Sequence, residues 1–132
     1  SVLPALFVFL WKGRCGIHPF RPGICRLFPL GRYYEENGFR YFLQVHECQK
    51  ENRAKVKVKK WLDTPDLKKY ETYIARWHGL LIQLQEYIAA HPESAKAVSM
   101  DVLKRFYLTP YQTEEFYSEF FQRMDEAKKA YC

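Results

Sequence analysis

Residues 64–92 read TPDLKKYETYIARWHGLLIQLQEYIAAHP, and this stretch decides the fold. Leu67, Tyr70, Ile74, Trp77, Leu81, Leu84 and Ile88 recur at alternating steps of three and four, the signature of one apolar helical face. Thr64 is placed to cap the helix, Pro65 suits its first position, and Asp66 complements the positive end of the dipole. His91-Pro92 ends it, because the residue before proline disfavours the α conformation. A shorter helix is expected from Glu93 to Phe106. Thr109-Pro110-Tyr111-Gln112 repeats the start signal, with Gln112 placed to complete a capping box. Phe116, Phe120, Met124, Ala127 and Tyr131 then supply one more stripe. The C-terminal half therefore reads as a small antiparallel helical bundle. Its aromatic stripes, including Tyr70, Trp77, Phe116 and Phe120, are read as core rather than as a face for a protein partner.

Working toward the N-terminus, the pattern changes period. Arg32–Glu36 and Phe39–Val45 flank Asn37-Gly38, a pair that supplies the positive φ values of a type I′ turn. Phe39, Tyr41, Leu43 and Val45 alternate with Arg40 and Gln44, which predicts one buried face; Phe42 breaks the alternation and predicts partial cover of the other. The chain thus reads as α+β and mostly α. A small Cys/Pro-rich N-terminal region with a β-hairpin, residues 1–62, is expected to pack against the helical region, residues 63–132, in a single compact domain.

Length and composition agree. At 132 residues, 48% hydrophobic and 27% charged, the chain is ordinary globular material, long enough to bury a core without a disulfide or a metal. Its longest apolar run, Leu3 to Trp11 with Pro4 inside it, is about half a membrane span, so no membrane insertion is expected. The run reads as a core strand or short helix. No basic segment precedes it and no small-residue cleavage site follows, which points to the cytoplasm.

Charge concentrates in residues 49–60, which hold six basic groups and one acid, or +5 of the net +6. Arg53, Lys55, Lys57, Lys59 and Lys60 form a candidate anion patch, with Trp61 as a stacking group for nucleic acid. The favoured reading is a solvated strand or helix edge with Val56 and Val58 inward and the lysines outward, since lysines also protect exposed edges. Trp61 is then a core anchor.

The segment with chemistry is Arg14-Cys15-Gly16-Ile17-His18-Pro19-Phe20-Arg21-Pro22-Gly23-Ile24-Cys25-Arg26-Leu27-Phe28-Pro29. Prolines stiffen this backbone and glycines let it bend, which suits a frame for thiolates. Arg14, Arg21 and Arg26 favour the thiolate form that binds metal. Cys48 follows the hairpin, which can return it toward Cys15 and Cys25. The spacing alone leaves metal binding and a pair of buried thiols both open.

Arg14–His18, Arg21-Pro22, Cys25–Gly31, Glu47-Cys48 and Trp61-Leu62 together resemble the YkgJ-type cysteine-cluster proteins, described as zinc- or iron-chelating domains of bacterial type with a CxxCxxCC-like signature. In looser form the resemblance extends through Tyr107, Thr109-Pro110-Tyr111 and Phe116. The Arg-Pro-x-x-Cys-Arg-x-Phe-Pro core is its most specific part. Family members carry further cysteines upstream of the position matching Cys15, and this chain has none there. The resemblance implies Cys15, Cys25 and Cys48 as metal ligands, with Arg21, Arg26, His18 and His46 behind them. Cys132 lies outside the matching motifs. Thiolate donors suit Zn²⁺ or an iron–sulfur cluster and do not decide between them.

Three functions follow as expectations. The first is a metal-binding protein. The second is a metal-dependent protein-modifying enzyme resembling lysine methylation proteins, although no Gly-rich cofactor loop, Ser/His/Asp set or paired-carboxylate site appears. The third is a nucleic-acid-binding module using the basic segment, which is the less favoured partner.

Overall fold

The computed structural model describes residues 10–11, 14–46 and 54–132. In chain order the elements are β1 (Leu10–Trp11), β2 (Arg14–Cys15), a 3₁₀ turn (His18–Phe20), α1 (Gly23–Leu27), β3 (Leu30–Glu35), β4 (Gly38–Leu43), α2 (Val58–Leu62), α3 (Leu67–Ala90), a 3₁₀ turn (Pro92–Ser94), α4 (Ala95–Leu103), a π turn (Lys104–Leu108) and α5 (Phe116–Tyr131). The protein is α+β and predominantly α, as its sequence predicts. Backbone contacts divide it into two units: the described residues within Ser1–Tyr33 and Arg40–Thr64, and Tyr34–Phe39 with Pro65–Cys132.

In the helical unit, α3 starts two residues later than the Thr-Pro-Asp signal suggests. Thr64 Oγ1 donates backward to the Leu62 carbonyl (3.3 Å), so it is spent before it can cap. Asp66 takes the cap instead: it sits in the left-handed region (φ 47°) and its Oδ1 accepts from Lys69 N–H at 3.2 Å. Aspartate tolerates that conformation better than most residues. The helix ends at Ala90 with His91 as its C-cap, as the proline requires.

The buried face of α3 is rotated from the predicted stripe. Leu80, not Leu81, is fully buried, and it joins Leu84, Val98, Phe106, Phe120, Met124 and Ala127 in the core, with Tyr73, Trp77, Tyr87 and Ile88 packed against it. Trp77 meets Phe106 and Phe120 edge-on at centroid distances of 4.8 and 5.2 Å. Tyr73 meets Phe120 at 4.9 Å. Burial, followed by the neighbouring tyrosines, pushes the Tyr73 phenol up to about 12 and keeps it neutral.

Pair contacts fix the directions. Lys69 reaches Glu115, Arg76 lies over Phe121 and reaches Asp125, and Tyr87 meets Tyr131, so α3 and α5 run parallel. Tyr131 and Arg105 pair with Asp101 and Glu126 in descending order, so α4 runs antiparallel to α5. Consecutive helices are therefore antiparallel, in an up-down-up arrangement.

The second start signal also shifts. Thr109 Oγ1 donates to the Lys104 carbonyl (2.7 Å) and closes the π turn rather than opening a helix. Gln112 forms no capping box. Its backbone N–H and that of Thr113 donate to the Glu119 carboxylate, and α5 begins only at Phe116.

The hairpin forms where predicted, but its turn residues are Glu36 and Asn37. Asn37 has no positive φ; Gly38 alone does (147°), so the turn is not type I′. Phe42 does cover the second face: a Cβ at Gly31 would lie 2.5 Å from the Phe42 ring, so that ring packs onto a buried glycine across the hairpin. Leu43 and Val45 are exposed, so the predicted buried face ends at Tyr41. Gln44 closes the base, its N–H donating to the Pro29 carbonyl (2.9 Å) and its Nε2 to Leu30 (3.0 Å).

Candidate functional site

The cysteine-bearing segment is built from very short elements. β2 ends on Cys15, opposite Leu10 of β1 in antiparallel register. Most of the predicted strand or helix over Leu3–Trp11 lies outside the described residues. The chain then turns through the His18–Phe20 3₁₀ turn, where proline at its start fixes φ. Arg21 folds back onto this turn: its Nη1 donates to the His18 carbonyl (2.8 Å) and approaches His18 Nδ1 (3.4 Å). A guanidinium can only donate, so while that contact is made Nδ1 accepts and the ring proton sits on Nε2. His18 acts as a brace for the turn.

Pro22 opens α1, its carbonyl accepting from Cys25 N–H (2.9 Å) and Arg26 N–H (3.1 Å). Cys25 therefore sits in the first turn of α1, half-buried, and Leu27 is the buried residue that anchors the helix. Arg26 Nη2 donates to the Asp63 carbonyl (2.9 Å), and Trp61 Nε1 donates to the Phe28 carbonyl (3.1 Å). Two side-chain clasps thus tie α1 and its exit to α2. The Nε of Arg26 is buried and has no acceptor among the described residues.

The resemblance implies Cys15, Cys25 and Cys48 as ligands of one metal. Cys15 is exposed, Cys25 is partly covered, and both are free thiols, as is Cys132. Cys48 and Arg53 lie outside the described residues. Among the described residues no three His, Cys, Asp or Glu side chains converge as a metal-holding group. His46 is exposed in the turn after β4.

Among the described residues the basic segment forms no strand edge, and its end, with Lys59 and Lys60, lies on a helix. Residues 54–57 carry no regular structure, and Val58 starts α2. Lys55, Lys57, Lys59 and Lys60 are all exposed, as is Val56. Trp61 is 43% exposed, so it is not a core anchor; only its indole N–H is committed. No helix among the described residues is long and apolar enough to cross a membrane.

Sequence reasoning missed the most heavily bonded group. Arg123 is buried at 8% exposure on α5. Its guanidinium donates to the carbonyls of Arg105 (2.7 Å), Thr109 (2.8 Å) and Pro110 (2.7 Å), and to Glu119 Oε1 (3.0 Å). It also lies 3.8 Å from the centre of the Tyr111 ring. Its role is to hold the connection between the π turn and α5. The i,i+4 spacing of Glu119 and Arg123 was the available signal, but it does not distinguish a buried clasp from a surface pair. The same unit carries an open cleft of about 560 Å³, lined by Glu35, Glu36, Phe39, Lys68, Glu71 and Thr72.

The chain matches no protein-family model, no curated protein and no solved structure.

Proposed function

We propose that this chain is a metal-binding protein that holds Zn²⁺ or an iron–sulfur cluster through Cys15, Cys25 and Cys48, in a reducing compartment such as the cytoplasm. The observation that carries this reading is a braced pair of unbridged thiols. Cys15 and Cys25 lie at either end of one short segment, and hydrogen bonds from Arg21, Arg26 and Trp61 hold that segment's shape. Soft, free donors on a stiff backbone suit zinc or an iron–sulfur cluster and do not suit Mg²⁺ or Ca²⁺.

Chain geometry supports Cys48 as the third donor. Gln44 is bonded to Pro29, which is four residues past Cys25. Cys48 is four residues past Gln44, so the chain tethers it within about 14 Å of that point. Arg26 supports the reading in a different way. Its buried Nε–H lacks an acceptor among the described residues, and a thiolate or sulfide sulfur would provide one. The resemblance of residues 14–31 and 47–48 to the cysteine-cluster proteins points the same way. A bound metal would supply a cross-link between this loop and the chain beyond the hairpin.

Protein purified without oxygen tests the proposal through metal analysis and an absorption spectrum. Zinc near one equivalent, or iron with sulfide and visible charge-transfer bands, is the expected result. Metal-free, colourless protein with all four thiols titratable refutes it.

A further inference from the structure

The charge of this chain divides with its two units. The sequence ranges 1–33 and 40–64 hold twelve basic and three acidic residues; the rest of the chain holds nine basic and twelve acidic. The first unit therefore carries +9 and the second −3. Within the first, Lys55, Lys57, Lys59 and Lys60 are exposed, and among the described residues none of the four forms an ion pair. Asp63 is the one acid among this unit's described residues.

Aromatic surface lies beside it. Trp61 follows Lys60 directly, and its N–H is bonded to the Phe28 carbonyl, which fixes the indole next to that backbone. Trp61 is 43% exposed and Phe28 45%. With its one polar atom already used, the indole presents only apolar ring surface to solvent. Arg26, bonded to the Asp63 carbonyl, adds a cation held to the end of α2.

We propose that this surface, Lys55, Lys57, Lys59 and Lys60 with Trp61 and Phe28, binds single-stranded nucleic acid. Exposed lysines, two before α2 and two in its first turn, neutralise phosphates, and a neighbouring exposed ring accepts a base by stacking. This pairing of chemistries favours a nucleic acid over an acidic protein, which offers no base to stack. A membrane surface fits less well. Among the described residues of this unit the helices, α1 and α2, have five residues each, too short to lay an amphipathic face into a headgroup layer. The proposal does not depend on metal binding.

The full chain is titrated into a labelled oligouridylate of about 20 nucleotides, and binding is read by fluorescence anisotropy against salt. With four lysine–phosphate contacts, the logarithmic salt slope is expected near −2.8, so affinity falls about 50-fold between roughly 50 and 200 mM salt. Lys57→Gln with Lys60→Gln flattens that slope by about 1.4. Trp61→Leu weakens binding by roughly tenfold. The lysine variants touch nothing in the fold, and circular dichroism confirms that each variant is folded. No binding at low salt overturns the proposal. So does binding that ignores the lysine changes, or equally tight binding to polyglutamate or to phosphatidylserine vesicles.

Discussion

Arg123→Met is the most informative single change in the helical unit. The wild-type guanidinium makes four hydrogen bonds at 2.7 to 3.0 Å, three of them to backbone carbonyls. Methionine keeps much of the volume and removes every donor. A hydrogen bond to a charged group contributes about 1.5–3 kcal/mol, and breaking a buried, paired charge costs about 3–5 kcal/mol. Thr109 and Pro110 are exposed residues, so water can reach their carbonyls once the arginine is gone. That places the expected loss at the lower end of the range, about 3 kcal/mol. Arg123→Lys keeps the charge but cannot fork across four acceptors, and should fall between wild type and methionine. Urea unfolding followed by far-ultraviolet circular dichroism reads the effect, since the long helices dominate that signal. A loss below about 1 kcal/mol for Arg123→Met would show that the clasp is dispensable and refute the reasoning.

Acid should loosen the same unit. The Gln112 N–H, helped by Thr113 and Arg123, holds the Glu119 carboxyl below its usual range. At Asp101, burial acts upward but the hydrogen bonds from Tyr131 and Arg105 outweigh it, so this carboxyl also sits low. Their stabilisation is complete above the ordinary carboxylate range near pH 4 and is lost as pH falls through the lower folded values. The urea midpoint of wild type should therefore drop below about pH 4, and Glu119→Gln should flatten that limb; parallel curves for the two proteins would contradict it. Leu80→Ala, at the fully buried centre of α3, should cost about 3 kcal/mol in the same assay, and a value under 1 would mean a poorly packed core. Gly31→Ala drives a methyl into the Phe42 ring and should cost about 1 kcal/mol, because the half-exposed ring can swing away. Adding Phe42→Ala should make that second methyl harmless, and a cost that persists would locate the strain elsewhere.

Much of this fold is legible in the sequence. Period and punctuation locate α3, α5 and the hairpin, because a seven-position apolar stripe and an Asn-Gly pair are strong local signals. They do not set rotation or caps. The apolar surface of α3 is broad enough that Leu80 and Leu81 are both consistent with it, and only packing against α5 selects Leu80. Both Thr-Pro signals misplace a helix start for one reason: each threonine hydroxyl bonds backward to a carbonyl, at Leu62 and at Lys104. Asp66 and Glu119 then satisfy the amides downstream. Arg123 is hard to see because three of its four acceptors are carbonyls, which carry no sequence identity, and its pairing with Glu119 looks like a surface pair. In the cysteine segment, proline and glycine correctly announce a stiff, turning backbone. The tasks of Arg26 and Trp61 depend on the return of residues 61–63 to Phe28, a contact between sequence-distant residues that no local pattern encodes.

The proposed thiolate site has one decisive measurement. Metal content per chain is determined, after purification without oxygen, for wild type and for Cys15→Ser, Cys25→Ser, Cys48→Ser and Cys132→Ser. The account predicts a bound metal that is lost or sharply reduced in the first three variants and unchanged in the fourth. Equal metal content across all five proteins, or none in any of them, contradicts it.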